Sequence, residues 1–317
     1  MVESVEVNEC FARDGLQHEE RFLATTVKAE LIGAFVRAGF RRIEATSYSS
    51  PRRVPAFSDA SDLLGLLPRR PGVSYKATCP NERAVERALE DLRRGRGADE
   101  VSLLCSASDS HSRVNLRASR DDQWRRLRTM AELARDRFTM VGVVSVAFGC
   151  PFEGRVSPET VLSDVERFRE LGASIVTIGD TTGLADPRSV SRLFDRLHRE
   201  HGDFPVVAHF HDTRGAGLAN TLAAYDAGCR RFDAAMGGIG GHPAHIQYGT
   251  GQTGNVSTED LVNMFESMGV RTGLDLTRLA AASRACEAAL GRRLNSQVAR
   301  AGFAAAVLAG SAAEVPA

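Results

Sequence analysis

The sequence has no excess of charge of either sign, since 40 Lys and Arg stand against 40 Asp and Glu in 317 residues. That removes the basic footprint a nucleic-acid partner would require. It has no apolar run as long as a bilayer span, and Met1-Val2-Glu3-Ser4 carries neither the basic start nor the apolar core of a secretory leader. Neither a nucleic acid nor a membrane is expected as a partner, and the predicted setting is cytoplasmic. Cysteine pairing is also missing. Cys10, Cys79, Cys105, Cys150, Cys229 and Cys286 are scattered without CxxC spacing, which argues against a zinc knuckle or a secreted disulfide framework and predicts reduced thiols. What remains is ordinary for a globular chain able to bury a large core, at 43% hydrophobic and 25% charged residues.

Short β-rich runs alternate with amphipathic segments along the chain. Eight such runs lie near residues 5–7, 42–46, 73–78, 100–105, 140–147, 174–180, 205–211 and 231–235. Helical stretches are predicted between them at 26–38, 82–92, 121–137, 158–171, 187–201 and 216–227, with Gly39, Gly172, Gly202 and Gly228 placed as C-caps. Eight strand–helix units predict an α/β fold, a (β/α)8 TIM barrel in a single domain spanning 1–317. The barrel is expected over about 1–275 and a C-terminal helical extension over about 276–317.

The most chemically pointed segment is His209-Phe210-His211-Asp212, at the end of the seventh run. Alternate strand residues share a face, so His209 and His211 would aim two imidazoles at one point. An isolated HxH is more often one core and one surface histidine. Here Arg13-Asp14-Gly15 follows the first strand, and a carboxylate beside a guanidinium stays ionised, as a hard cation requires. The alternative is an ordinary turn with Gly15 at positive φ. Asn255, before the helix opened by Ser257 or Thr258, offers an amide oxygen or is simply a loop residue. In a TIM barrel the site lies at the C-terminal ends of the strands, so Asp14, Glu44, Asp180, His209 and His211 should converge on one mouth, with Asn255 in reach. Such a mixed N/O set suits Mg or Mn best, with Zn or Co as substitutes.

Together these segments resemble the DRE-TIM metallolyases, and within them the 3-hydroxy-3-methylglutaryl-CoA lyase branch. The resemblance rests on Arg13-Asp14-Gly15-Leu16-Gln17, Ile43-Glu44-Ala45-Thr46-Ser47, Gly149-Cys150-Pro151-Phe152-Glu153-Gly154, Gly179-Asp180-Thr181-Thr182-Gly183, the stretch from His209 to Thr213 with Gly215 and Ala219-Asn220, and Gly254 to Asp260. The sister synthases usually carry HxHND where this chain has His-Phe-His-Asp-Thr, which favours the lyase branch. The resemblance implies cleavage of a 3-hydroxyacyl-CoA to an acyl-CoA and a keto acid or ketone. It implies Asp14, His209, His211 and Asn255 as metal ligands, and Arg13 as the cation facing an enolate oxygen. Glu44 and Asp180 would be proton-transfer groups or supports, or else barrel-mouth ion pairs. Gln17, Thr46, Ser47 and Thr213 are expected to bind substrate, and a homodimer is expected. A condensing synthase of the same superfamily and a catalytically weak ligand-binding barrel are the alternatives.

Two departures stand out. The family cysteine of Gly-Gly-Cys-Pro is His242 here, in a glycine-rich loop that also brings His245 and Tyr248. An imidazole can donate a proton as a thiol does, so His242 is the expected catalytic acid, or it merely lines an altered pocket. Glu20 stands where the family commonly has lysine, which weakens the attraction for a CoA phosphate. Arg52, Arg53 and the basic stretch from Arg113 to Arg120 would compensate or form a solvated rim. Cys150 is expected to pack rather than react.

Overall fold

The computed structural model describes residues 3–241 and 254–308. Eight parallel strands, β1 (Glu6–Glu9), β2 (Arg42–Ser47), β3 (Ser74–Cys79), β4 (Glu100–Ser106), β5 (Thr139–Ser145), β6 (Ile175–Asp180), β7 (Val206–Phe210) and β8 (Arg231–Ala234), close into a barrel in chain order, with β8 pairing back onto β1. The returning helices are α1 (Thr25–Ala38), α2 (Ala60–Leu66), α3 (Glu82–Arg93), α4 (Asp109–Leu116) with α5 (Arg120–Ala134), α6 (Pro158–Glu170), α7 (Pro187–His201), α8 (Gly217–Asp226) and α9 (Thr258–Ser267). This is the expected (β/α)8 TIM barrel. Beyond it α10 (Leu276–Leu290) lies along α1, followed by the short α11 (Val298–Ala301) and α12 (Ala304–Leu308).

Local chemistry sets the helix limits. Asp186 accepts hydrogen bonds from the Arg188 and Ser189 amides while Ser189 reaches back to the Asp186 amide, and Pro187 opens α7 at its first position. At the end of α1, Gly39 takes φ +109 and donates to the last carbonyls. The helix expected over 121–137 stops at Ala134, because Arg135 turns extended and Asp136 adopts a left-handed φ of +59. Helices α2 and α4 are additions to the expected set.

The helices bury their apolar faces against the strands. Ile32 and Phe35 of α1, Leu127 of α5, Val165 and Phe168 of α6, and Val190 and Leu193 of α7 are all buried. Each such side chain contributes roughly 1.5–3 kcal/mol of transfer free energy. Packing is close at Gly142 of β5, where a Cβ would lie 2.4 Å from the Phe168 ring. The barrel interior is different, for it holds buried Asn8, Glu44, Lys76, Glu100 and Asp233. Charges so placed persist only when paired. Near the strand starts Arg42 pairs with Glu100 at 2.7 Å, while the remaining charges sit towards the strand ends and shape the site.

A metal-ligand cluster at the barrel mouth

His209 is the last but one residue of β7 and borders the mouth cavity, and His211 follows one residue beyond the strand in a bridge to Asn255. Their Nε2 atoms lie 3.2 Å apart. The β1–α1 connection brings Asp14 Oδ2 to 3.3 Å from His211 Nε2 and 3.9 Å from His209 Nε2. Asn255 Nδ2 donates to Asp14 Oδ2 at 2.8 Å and to the Ile239 carbonyl at 2.9 Å. Both partners are acceptors only, which fixes the amide orientation and leaves Asn255 Oδ1 buried with no hydrogen-bond partner among the described residues. Gly240, at φ +143, lets the chain pass this amide, since a Cβ there would lie 2.5 Å from Asn255 Nδ2. The structure thus brings Asp14, His209, His211 and Asn255 together.

Burial alone would raise the Asp14 pKa, but Arg13, His211 and His209 outweigh it and hold the carboxyl well below the usual range. Arg13 sits between two carboxylates, with Nη1 at 2.6 Å from Asp14 and Nε at 2.8 Å from Glu44. Glu44 is also kept ionised; burial opposes this, and Arg13 and Lys76 prevail. Burial lowers the His211 pKa, whereas at His209 burial is overcome by Asp233 and Asp14 and the pKa rises.

The donor chemistry decides whether this set fits a cation. Two imidazole nitrogens and a carboxylate oxygen are electron-pair donors within 4.8 Å of one another, with the Asn255 amide beside them, and a divalent ion satisfies the three together. Cys10, His209 and Asp233 form a second gathering of potential ligands. Burial, with Asp233 and Glu44 nearby, holds the Cys10 thiol protonated, which is not its ligand form. The Asp14–His209–His211 cluster is the better cation site. Beside it lies a narrow cavity of about 60 Å³, bounded among others by Arg13, Lys76, Asn115, His209 and Gly241.

Two contributors escaped the sequence reading. Asp233 of β8 stands in register with both Asn8 and His209; it accepts from Asn8 Nδ2 at 2.8 Å and faces His209 Nδ1 at 3.4 Å. Such a carboxylate fixes the imidazole tautomer that leaves Nε2 free to ligate. Lys76 of β3 lies 3.8 Å from both Asp233 and Glu44 and stays charged between them, the two carboxylates outweighing its burial. A charged residue inside a predicted barrel strand was the signal that could have found both.

The other expected residues take varied positions. Asp180 ends β6, but its oxygens accept from the Leu184 and Ala185 amides at 2.8 and 3.1 Å, so they are engaged by the β6–α7 loop. Burial raises its pKa to about 6 despite those amides. Thr46 Oγ1 and Gln17 Nε2 are buried with no hydrogen-bond partner among the described residues. Ser47 shares a 2.7 Å hydrogen bond with Ser49. Thr213 packs against the β6–α7 loop, where a Cβ on Gly183 would lie 2.5 Å from its hydroxyl. His242, with His245 and Tyr248, lies outside the described residues. Of the basic stretch, Arg113 pairs with exposed Asp109 and Arg120 with buried Asp164, so neither guanidinium stands alone. Cys150 is buried and accepts a hydrogen bond from Ser108.

A closed parallel barrel with a carboxylate–imidazole–amide cluster at the C-terminal ends of its strands defines a barrel enzyme built around a divalent cation. The chain belongs to the HMGL-like family, whose pattern it matches over residues 5–286. It is 38% identical over 304 residues to a hydroxymethylglutaryl-CoA lyase of Pseudomonas mevalonii, covering 96% of this chain and 97% of that one. Against the human mitochondrial hydroxymethylglutaryl-CoA lyase it is 35% identical over 298 residues, covering 94% and 89%. The fold superposes with a TM-score of 0.90 on an HMG-CoA lyase from Acinetobacter baumannii in complex with coenzyme A and 3-methylmalate, at 37% identity over 99% of this chain and 98% of that one. Divalent-metal dependence is a property of this family, and the described cluster has the ligands for it.

Proposed function

We infer that the chain is a divalent-metal-dependent carbon–carbon lyase that cleaves 3-hydroxy-3-methylglutaryl-CoA, or a close 3-hydroxyacyl thioester, to acetyl-CoA and a keto acid. The observation that carries this reading is the convergence of Asp14, His209, His211 and Asn255 beside the Arg13 guanidinium. Magnesium or manganese is the proposed ion, because the set is oxygen and imidazole without thiolate. When bound, it supplies a Lewis acid that lowers the pKa of the substrate hydroxyl and offsets carboxylate charge.

In the cleavage the bond between C2 and C3 breaks, its electron pair passes to the thioester carbonyl, and the hydroxyl carbon becomes a ketone. The proton lost by the hydroxyl balances the proton later gained at C2. Arg13, held between Asp14 and Glu44, is a fixed cation suited to the charge that develops on the thioester oxygen. Glu44 and Thr78 hold that guanidinium in place, with Thr78 donating to Glu44 at 2.7 Å. Asp180 shapes the β6–α7 loop that walls the mouth. We assign the C2 proton donor to His242, supported by Gly241, the residue before it, bordering the mouth cavity. Gln17, Thr46, Ser47 and Thr213 are retained as substrate-binding groups, Gln17 and Thr46 on the strength of their unpaired buried polar atoms.

We further take the chain to act as one domain of 317 residues, as a homodimer and in the cytoplasm. Among the described residues no helix is long and apolar enough to cross a membrane. The test is a set of 3-hydroxyacyl-CoA thioesters supplied with Mn in deuterated water. The reading expects 3-hydroxy-3-methylglutaryl-CoA to give acetyl-CoA with one deuterium in its methyl group and an equimolar keto acid. No cleavage of any thioester would refute it.

A further inference from the structure

A second cavity, of about 550 Å³, lies at the other end of the barrel from the metal-ligand cluster. It is bounded by the start of β1, the turn between α1 and β2, the start of β8 and the segment 271–274 that joins α9 to α10. Four guanidinium-bearing residues, Arg41, Arg230, Arg231 and Arg271, line it against a single carboxylate, Glu6. Arg231 faces that carboxylate at 3.5 Å. Arg230 is fixed by donating to the Tyr225 and Cys229 carbonyls and by lying 4.3 Å over the Tyr225 ring. Among the described residues no hydrogen bond or ion pair engages the side chain of Arg41 or Arg271. The balance is therefore three positive charges beyond the one that Glu6 offsets.

Backbone hydrogen bonds tie the walls to one another. Arg271 bridges to the start of the chain on both sides of Ser4, with Val5 N donating to Arg271 O at 3.0 Å and Arg271 N to Glu3 O at 3.0 Å, and Glu6 N donates to Arg230 O at 2.8 Å. The α1–β2 turn presses on the 271–274 segment so closely that a Cβ on Gly39 would lie 3.0 Å from the Gly273 carbonyl. A concavity of this size suits a small metabolite, and the guanidinium forks of arginines that line it match phosphate oxygens in pairs. We propose that this cavity is a binding site for a small organic phosphate bearing two or more negative charges, separate from the lyase site.

Fructose 1,6-bisphosphate is a suitable probe, because its two phosphates are far apart and chelate metal weakly. Titration calorimetry on the metal-loaded protein should show saturable one-site binding at up to millimolar probe, accompanied by a rise in Tm. The double variant Arg41→Gln/Arg271→Gln should bind at least tenfold more weakly with its basal turnover unchanged. Asp14→Asn should bind the probe as the parent does. Absence of saturable binding overturns the proposal. So does binding that Asp14→Asn abolishes and the double variant keeps, which would place the probe at the barrel mouth. Equal binding by all three proteins overturns it too, as an adventitious ion only.

Discussion

Asp233→Asn tests how the metal centre is built, because it changes a residue that ligates nothing yet governs one that does. The carboxylate faces His209 Nδ1 at 3.4 Å and so keeps the proton there, which leaves the Nε2 lone pair facing Asp14 and His211. An asparagine of the same shape can present an N–H to Nδ1 instead, and the imidazole then carries its proton on Nε2, where it cannot ligate. Loss of such a partner typically weakens metal affinity tenfold to a hundredfold, about 1.4–2.8 kcal/mol. Lys76 keeps Glu44 at 3.8 Å but loses its other carboxylate, so a further stability cost of about 1–3 kcal/mol is expected from a partly unpaired buried charge. Calorimetric Mn titration of the chelator-treated protein reads the first effect and denaturant unfolding the second. Turnover should recover towards the parent value at saturating metal. An unchanged metal Kd with a lasting loss of turnover would refute the positioning role and place Asp233 in the chemistry.

Three other substitutions separate the remaining roles. Arg13→Lys should lower the maximal rate by about 10²–10³, as for a lost oxyanion partner, with metal content intact, because an ammonium cannot span Asp14 and Glu44 as a planar fork does; a change in metal affinity alone would make Arg13 only a support for Asp14. His242→Ala should lose most turnover with metal bound, and His242→Cys should restore part of it with a pH profile displaced towards the thiol pKa; an unchanged maximal rate in His242→Ala removes the donor role. Glu9 is buried where Phe11 and Met236 amides and the Thr258 hydroxyl donate to it, and burial raises its pKa from 4.5 to about 8. The folded chain therefore holds this proton longer than the unfolded chain, so the contribution is full below pH 4.5 and is lost progressively as pH rises to about 8, a swing on the order of a few kcal/mol. Glu9→Gln should flatten that part of the stability–pH curve in urea unfolding, and an unchanged slope would show that Glu9 does not titrate there.

Much of the barrel is legible in the sequence because strands such as β5 and β7 are short runs rich in valine, and helices such as α3, α5, α6 and α7 carry a side-chain N-cap. Asp186-Pro187 at the head of α7 shows how local the signal is. Helix α4 escaped because Ser108, Asp109, Ser110 and Ser112 are turn-forming residue types, although Ser108 caps the helix by accepting from the His111 amide. The ligand set is legible because His209 and His211 share one strand face and Asp14 and Asn255 sit in recognisable motifs. Asp233 and Lys76 were not read as site residues because one side chain mid-strand reveals nothing of what stands beside it. Only the register pairs His209 with Asp233 and Glu44 with Lys76. Asp180 illustrates the reverse case, a motif carboxylate at the right strand end whose oxygens are taken by the backbone of its own loop.

The central claim is metal-dependent carbon–carbon cleavage by the cluster at the barrel mouth. The most direct measurement compares the parent chain with His211→Ala on 3-hydroxy-3-methylglutaryl-CoA, with Mn and with EDTA, following acetyl-CoA and acetoacetate together. The account predicts equimolar release of both products by the parent with Mn, its loss in EDTA, and a fall of at least a hundredfold in His211→Ala with the fold intact by circular dichroism. Equal release by the parent in EDTA, or full activity of His211→Ala, would contradict it.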